Sequence, residues 1–222
     1  MEKAVDIKMT LHNFVAEDSF ILKIVQLYET QRVRHGFMLI GHSGVGKTVI
    51  KQILVEASGD FDLDHMQKKM NPKAITDTQM YGKKSATDEW TPGVFSKLWE
   101  QYNDKKRSNK KWWLVCDGPV DTLWIESLNT VLDDNKILTL ASGDRFPMSE
   151  TVKLVFEVEN LNNASPATVS RTGIVYVSEH DLGYNALIYT YCRNKTEKDS
   201  KILEELLNKF IIEDNLIEVL IE

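Results

Sequence analysis

Apolar positions along the chain fall into two rhythms, one near 3.6 residues and one of short unbroken runs. Phe20, Ile21, Ile24, Val25, Leu27 and Tyr28 form a single stripe, which predicts a helix over residues 19–34, capped by Asp18 or Ser19 and stopped by Gly36. Phe37-Met38-Leu39-Ile40 is a short apolar run ending in glycine, the pattern of a buried strand, and residues 48–57 return to helical spacing with Gly59 just beyond. Residues 60–90 are polar and weakly periodic, with Pro72 among them; a strand near 66–70 and a short helix near 76–81 are the expectations there. Thr91-Pro92 reads as the N-cap and first turn of a helix whose apolar face is Phe95, Leu98, Trp99 and Tyr102. The basic run from Lys105 to Lys111 reads as a solvated loop. Trp112–Cys116 predicts a strand ending at Asp117, and Asp121 caps a helix carrying Trp124, Ile125, Leu128, Val131 and Leu132. Residues 136–148 alternate around Ser142-Gly143-Asp144 as a β-hairpin does, and 152–158 is another strand. Ser165-Pro166 opens a short helix ending near Arg171, a strand follows at 174–177, and 184–192 and 201–221 are helical. Strands alternating with helices predict an α/β fold, a parallel sheet with helices on both faces.

Composition narrows the class without naming a function. The 222 residues suggest one domain, or one and a half at about 150 residues each. Hydrophobic residues are 42% and charged residues 27%, which is ordinary for a globular chain. With 27 basic and 33 acidic side chains the net charge is −6, no footing for nucleic acid or an anionic membrane surface as partner. Cys116 and Cys192 form no ligand spacing, so the expectation is no structural zinc and a reducing compartment. No apolar run has the length of a membrane span, and the first twenty residues lack the pattern of a signal peptide. A soluble intracellular α/β or α+β domain is what these numbers leave.

One motif adds chemistry. Gly41-His42-Ser43-Gly44-Val45-Gly46-Lys47-Thr48 fits G-x-x-x-x-G-K-[ST], with a predicted strand before it and a predicted helix after it. Glycines at these places let backbone N–H groups converge on phosphate oxygens, and the following helix adds its positive end. Lys47 is placed to reach the β- and γ-phosphates of ATP or ADP, and the Thr48 hydroxyl to ligate Mg²⁺. Asp117, at the end of an apolar strand, is the carboxylate expected on the metal side. Many P-loop ATPases put a glutamate next to polarise the attacking water, whereas Gly118 has no side chain and no basicity. The site therefore reads as built to hold Mg-nucleotide and poorly built to cleave it. Asp121 is an alternative base, with N-capping the simpler role. Asn160 follows a strand where it can orient water or the γ-phosphate, and Arg171 stands where an arginine can reach a neighbour's nucleotide.

Together, the P-loop, LVCDGPVD at 114–121, WIESLNTVLDDNKILTLASGDRFPMS at 124–149 and ASPATVSRTG at 164–173 resemble the second AAA+ module of dynein heavy chains, axonemal and outer-arm-like. NPKAITDTQMYG at 71–82 and EWTPGVFS at 89–96 fit the same module, and the resemblance spans roughly residues 19–184. It implies an AAA+ core, a five-stranded parallel sheet ordered 5-1-4-3-2, over residues 1–183 with its lead helix, and a partial helical lid over 184–222. It also implies a module of a microtubule motor ring that binds ATP or ADP with Mg²⁺ without productive hydrolysis. By that likeness Asn160 matches sensor 1, Arg171 matches an arginine finger acting in trans, and the hairpin 136–148 matches an insert that contacts the linker. The implied partners are neighbouring AAA+ modules, the linker, and dynein intermediate and light chains, with microtubules reached only through other parts of the motor. The implied location is the cytoskeleton of the ciliary or flagellar axoneme. His42 departs from the family's usual proline, at a position where the backbone does the binding. Two other functions stay open: a self-sufficient ATPase using Asp121 or another carboxylate, and a scaffold that has lost nucleotide affinity.

Overall fold

The computed structural model describes residues 1–15, 17–87 and 89–213, with side chains through residue 211. Five parallel strands form the central sheet: β1 (Gly36–Ile40), β2 (His65–Met70), β5 (Lys111–Asp117), β8 (Val152–Val158) and β9 (Gly173–Tyr176). Their order across the sheet is β2-β5-β8-β1-β9. Numbered among themselves and read from the other edge, these strands run 5-1-4-3-2, the order that the resemblance implies. Two antiparallel ribbons, β3 (Gly82–Lys84) with β4 (Trp90–Pro92) and β6 (Ile137–Thr139) with β7 (Arg145–Pro147), stand outside it.

Strand periodicity sorts the core into two layers, since alternate residues of each strand face opposite sides. Met38, Leu114, Cys116, Leu154 and Phe156 share one cluster with Phe95, Trp99, Trp124 and Leu128. The last four come from α5 (Val94–Asn103), α6 (Thr122–Ile125) and the turn leading to α7 (Asn129–Leu132), and α4 (Asp77–Tyr81) adds Met80 and Tyr81. Phe37, Leu39, Trp113, Val115 and Val155 share the other with Val5, Ile24, Leu27, Ile50 and Leu54. Those are supplied by α1 (Glu2–Leu11), α2 (Asp18–Val33) and α3 (Lys47–Ser58). The chain closes with α8 (Pro166–Arg171), α9 (Glu179–Arg193, kinked at Gly183) and α10 (Glu197–Leu207), then a wider turn over Asn208–Glu213. The helix expected over 201–221 is thus seen to Leu207, and 214–221 lie outside the described residues. Among the described residues no helix is long and apolar enough to cross a membrane.

Several local expectations are corrected. Gly36 does not stop α2: Arg34 turns extended and ends it, and Gly36 is the first residue of β1, where a Cβ would lie 2.1 Å from Leu132 Cδ2. Glu17, not Asp18 or Ser19, is the N-cap, and the Ser19 hydroxyl donates to Asp181 O instead. Thr91 and Pro92 belong to β4, and the helix begins at Val94 behind Gly93, which passes so near Met80 O that a Cβ would meet it at 2.2 Å. The helix after Asp121 is broken into α6, a 3₁₀ turn over Glu126–Leu128 and α7, which keeps Ile125, Leu128 and Val131 all turned to the core.

Candidate nucleotide site

The strand ends and the helix start that make this site follow from strand parity and helical spacing. β1 runs straight into the loop, with the Gly41 N–H donating to Val158 O and the Val177 N–H donating to Ile40 O. Gly44 and Gly46 take φ values of 87° and 95°, left-handed conformations that side chains rarely tolerate. A Cβ on Gly46 would also meet Phe20 Cε2 at 2.7 Å, so the loop is seated on α2. Gly46 caps α3, and the helix N-terminus opens on a cleft of about 650 Å³. Ser43, Gly44, Gly46, Lys47 and Thr48 line it on one side, with Asp117, Gly118, Glu157 and Asn160 opposite.

Gly41, His42 and Val45 of the motif stand outside the cleft lining. Val45 is buried in the layer under α1–α3, and a Cβ on Gly41 would lie 2.1 Å from Val177 O. His42 is exposed and is not among the cleft-lining residues, but its ring meets Glu159 of that lining at 3.3 Å. Lys47 Nζ donates to Gly41 O at 2.5 Å and His42 O at 2.7 Å, which holds the ammonium against the loop backbone.

A carboxylate that sequence reasoning passed over completes the floor. Asp117 and Glu157 are register partners on adjacent strands, and their parity with Val115 and Val155 turns both toward α3. Thr48 and Lys51 lie three residues apart on one helix face. The Thr48 hydroxyl donates to Glu157 Oε1, and Lys51 Nζ donates to Glu157 Oε2 at 2.6 Å. Burial raises the Glu157 pKa, but hydrogen bonds from Lys51 and Thr48 and the Lys51 charge outweigh it and hold the carboxyl below its ordinary value. Asp117 is ion-paired with Lys69 of β2, whose own pKa rises through that bond. The signal in the sequence was one acidic residue inside the apolar run 152–158, at the parity that faces α3.

The remaining candidates divide. Asn160 lines the cleft while its Oδ1 accepts from the Asn162 N–H at 3.1 Å. Asp121 caps α6 through the Leu123 N–H at 3.0 Å and pairs with Lys73, so both its oxygens are engaged outside the cleft lining. Gly118 has φ of +150°, and a Cβ there would lie 2.8 Å from Asn71 Oδ1. Arg171 is ion-paired with Asp133 at the end of α8. Because α8 leads back to the start of β9, Arg171 sits at the opposite end of the sheet from its own P-loop.

The residues fit a nucleotide with a divalent cation. A glycine nest, a helix N-terminus and Lys47 face the cleft with positive character, and Thr48 and Asp117 supply oxygens within it.

Comparison with known proteins agrees with this geometry. The family described as "AAA domain (dynein-related subfamily)" matches residues 36–172, and the one described as "Hydrolytic ATP binding site of dynein motor region" matches residues 1–48. Dynein axonemal heavy chain 8 of Mus musculus is 45% identical over 215 residues, 96% of this chain and 4% of that protein. Dynein axonemal heavy chain 5 of Rattus norvegicus is 45% identical over 207 residues, 93% of this chain and 6% of that one. The dynein gamma chain of the flagellar outer arm of Chlamydomonas reinhardtii is 50% identical over 190 residues, 85% of this chain and 4% of that one. The chain thus spans only about a twentieth of the length of the relatives it matches. With its sheet order, P-loop cleft and these matches, the chain belongs to the dynein-related subfamily of AAA domains, in the axonemal dynein heavy chain family.

Proposed function

We propose that this chain is the second AAA+ module of an axonemal, outer-arm-like dynein heavy chain, and that it holds Mg-ATP or Mg-ADP as a structural and regulatory ligand. The carrying observation is Gly118 beside an otherwise complete phosphate cleft: the position next to the metal-side Asp117 has no side chain, and Asn71 occupies the space where one would begin. Asp121 is a poor substitute base, since Lys73 and the α6 N-cap hold both its oxygens.

In this reading the backbone of the Gly41–Thr48 loop cradles the phosphates, Lys47 neutralises their charge, and Thr48 and Asp117 hold the metal. Mg²⁺, when bound, screens the phosphate charge and fixes its orientation. Glu157 accepts the single Thr48 proton, which leaves the hydroxyl lone pairs free to face a cation. Asn160 stays near the terminal phosphate, and Arg171 serves the preceding module in trans. Residues 1–183 form the large subdomain and 184–222 part of the lid, a division that falls at the Gly183 kink. Neighbouring modules and the linker contact the ring-facing surfaces, the hairpin 136–148 among them. Intermediate and light chains, microtubules through other parts of the motor, and the ciliary or flagellar axoneme complete the setting, by likeness to the axonemal and flagellar relatives.

The test is paired. MgATP or MgADP is expected to raise the melting temperature of the chain by mass action, while phosphate release stays at background. Lys47→Ala should remove the shift. Steady turnover abolished by Asp121→Ala would establish a self-sufficient ATPase instead, and no shift with either nucleotide would establish a scaffold.

A further inference from the structure

The two carboxylates that are register partners on the floor of the nucleotide cleft, Asp117 of β5 and Glu157 of β8, each face a lysine of this chain. Glu157 is met by Lys51 of α3 at 2.6 Å, in a pair whose side chains are only 2% and 6% exposed. Asp117 is met by Lys69 of β2, in a half-exposed pair. Strand register sets the second pair. Lys69 stands opposite Val115, so it shares the sheet face of Val115 and Asp117, and its long side chain runs forward to the Asp117 carboxylate. Lys68 stands opposite Leu114 and takes the other face. Two neighbouring carboxylates thus have a lysine each, and both lysines belong to regular elements of the fold.

This arrangement changes what a bound cation has to do. Carboxylates beside a polyphosphate repel it, and a divalent cation between them ordinarily removes that repulsion. Here the fold places positive charge at the same carboxylates. Lys51 is buried against Glu157 on the helix face that carries Thr48, so that charge stays with the site. The Thr48 hydroxyl already donates to Glu157 and needs no metal to orient it. Lys69 is reached by solvent and shares the Asp117 carboxylate with whatever cation enters.

We propose that Lys69, backed by the Lys51–Glu157 pair, stands in for the divalent cation at Asp117, so that the cleft keeps a nucleoside diphosphate when Mg²⁺ is withdrawn. This rests on the nucleotide reading and adds to it the residue that sets the metal requirement. The experiment is calorimetric titration of the whole chain with ADP, once in excess Mg²⁺ and once in EDTA. Low ionic strength is used, where a half-exposed pair is least screened. Wild type is expected to lose less than about tenfold in affinity when Mg²⁺ is removed. Lys69→Met should lose about threefold or more beyond that, with its Mg-ADP affinity undiminished. Lys69→Arg keeps the charge and should restore the wild-type ratio. Lys68→Met has the same net charge as Lys69→Met but alters the other sheet face, and should match wild type. A larger wild-type loss, or equal losses in wild type and Lys69→Met, overturns the proposal and leaves the nucleotide reading standing; so do equal losses in Lys68→Met and Lys69→Met. ADP binding by none of these proteins in either buffer overturns the nucleotide reading and this proposal with it. Lys69→Gln provides a second neutral variant for the same comparison.

Discussion

Lys51 and Glu157 face each other 2.6 Å apart, with side chains only 2% and 6% exposed. Removing one member of such a pair strands the other charge. Glu157→Gln is therefore expected to cost about 3–5 kcal/mol, and replacing both by apolar residues of similar volume to recover most of it, as urea unfolding would measure. The sign of the pH dependence follows from the depressed Glu157 pKa. Its stabilisation is fully present above the unfolded carboxyl value of about 4.3 and is lost as pH falls through the lower folded value. That part of the acid slope should be missing in Glu157→Gln. Gly118→Glu tests the other side of the site: the left-handed backbone and Asn71 Oδ1 at 2.8 Å oppose any side chain there. Lower melting temperature with phosphate release still at background is the expected result. The P-loop and Asp117 were legible in the sequence because each belongs to a motif of fixed spacing. Glu157 was not, because its role depends on which strand lies beside Asp117, and only the sheet order supplies that.

Elements were legible where their periodicity was strong. β1, β5, β8 and the helix over 48–57 stand within a residue or two of their expected bounds. The short helix near 76–81 was expected from weaker signals and holds through a capping box, Thr76 with Gln79. Thr76→Ala should cost about 1 kcal/mol, read from the denaturation midpoint. The β3–β4 ribbon was missed because its strands are three residues each and mostly polar, too short for alternation to show. Its Pro92 sits in an edge ribbon, where no central ladder needs its missing N–H. That ribbon displaced the helix start from Thr91 to Gly93, an outcome of the contact with Met80 and not of capping preference.

At the scale of the molecule, two ends of one sheet carry different chemistry, and each can be tested by a distant readout. Arg171→Ala is expected to leave nucleotide affinity of this chain unchanged in calorimetric titration, since Arg171 lies at the far end from its own P-loop; loss of that affinity would remove the in-trans role. Lys153, beside Lys111, Lys136, His35 and Glu150, has its pKa depressed to about 8. The unfolded chain keeps that proton to about 10.4, so wild-type stability should rise between those values. Lys153→Met should be flatter across that window and more stable at neutral pH. The sequence by itself determined the layered α/β class, the phosphate-binding loop and the absence of a general base at position 118. These reside in local spacing and in the chemistry of single side chains. Only the tertiary structure decided that Glu157 joins Thr48, that Asp121 is engaged elsewhere, and that Lys111, Lys136 and Lys153 gather at the opposite strand ends. Each of these depends on which strands become neighbours, a property of long-range packing that no local pattern encodes.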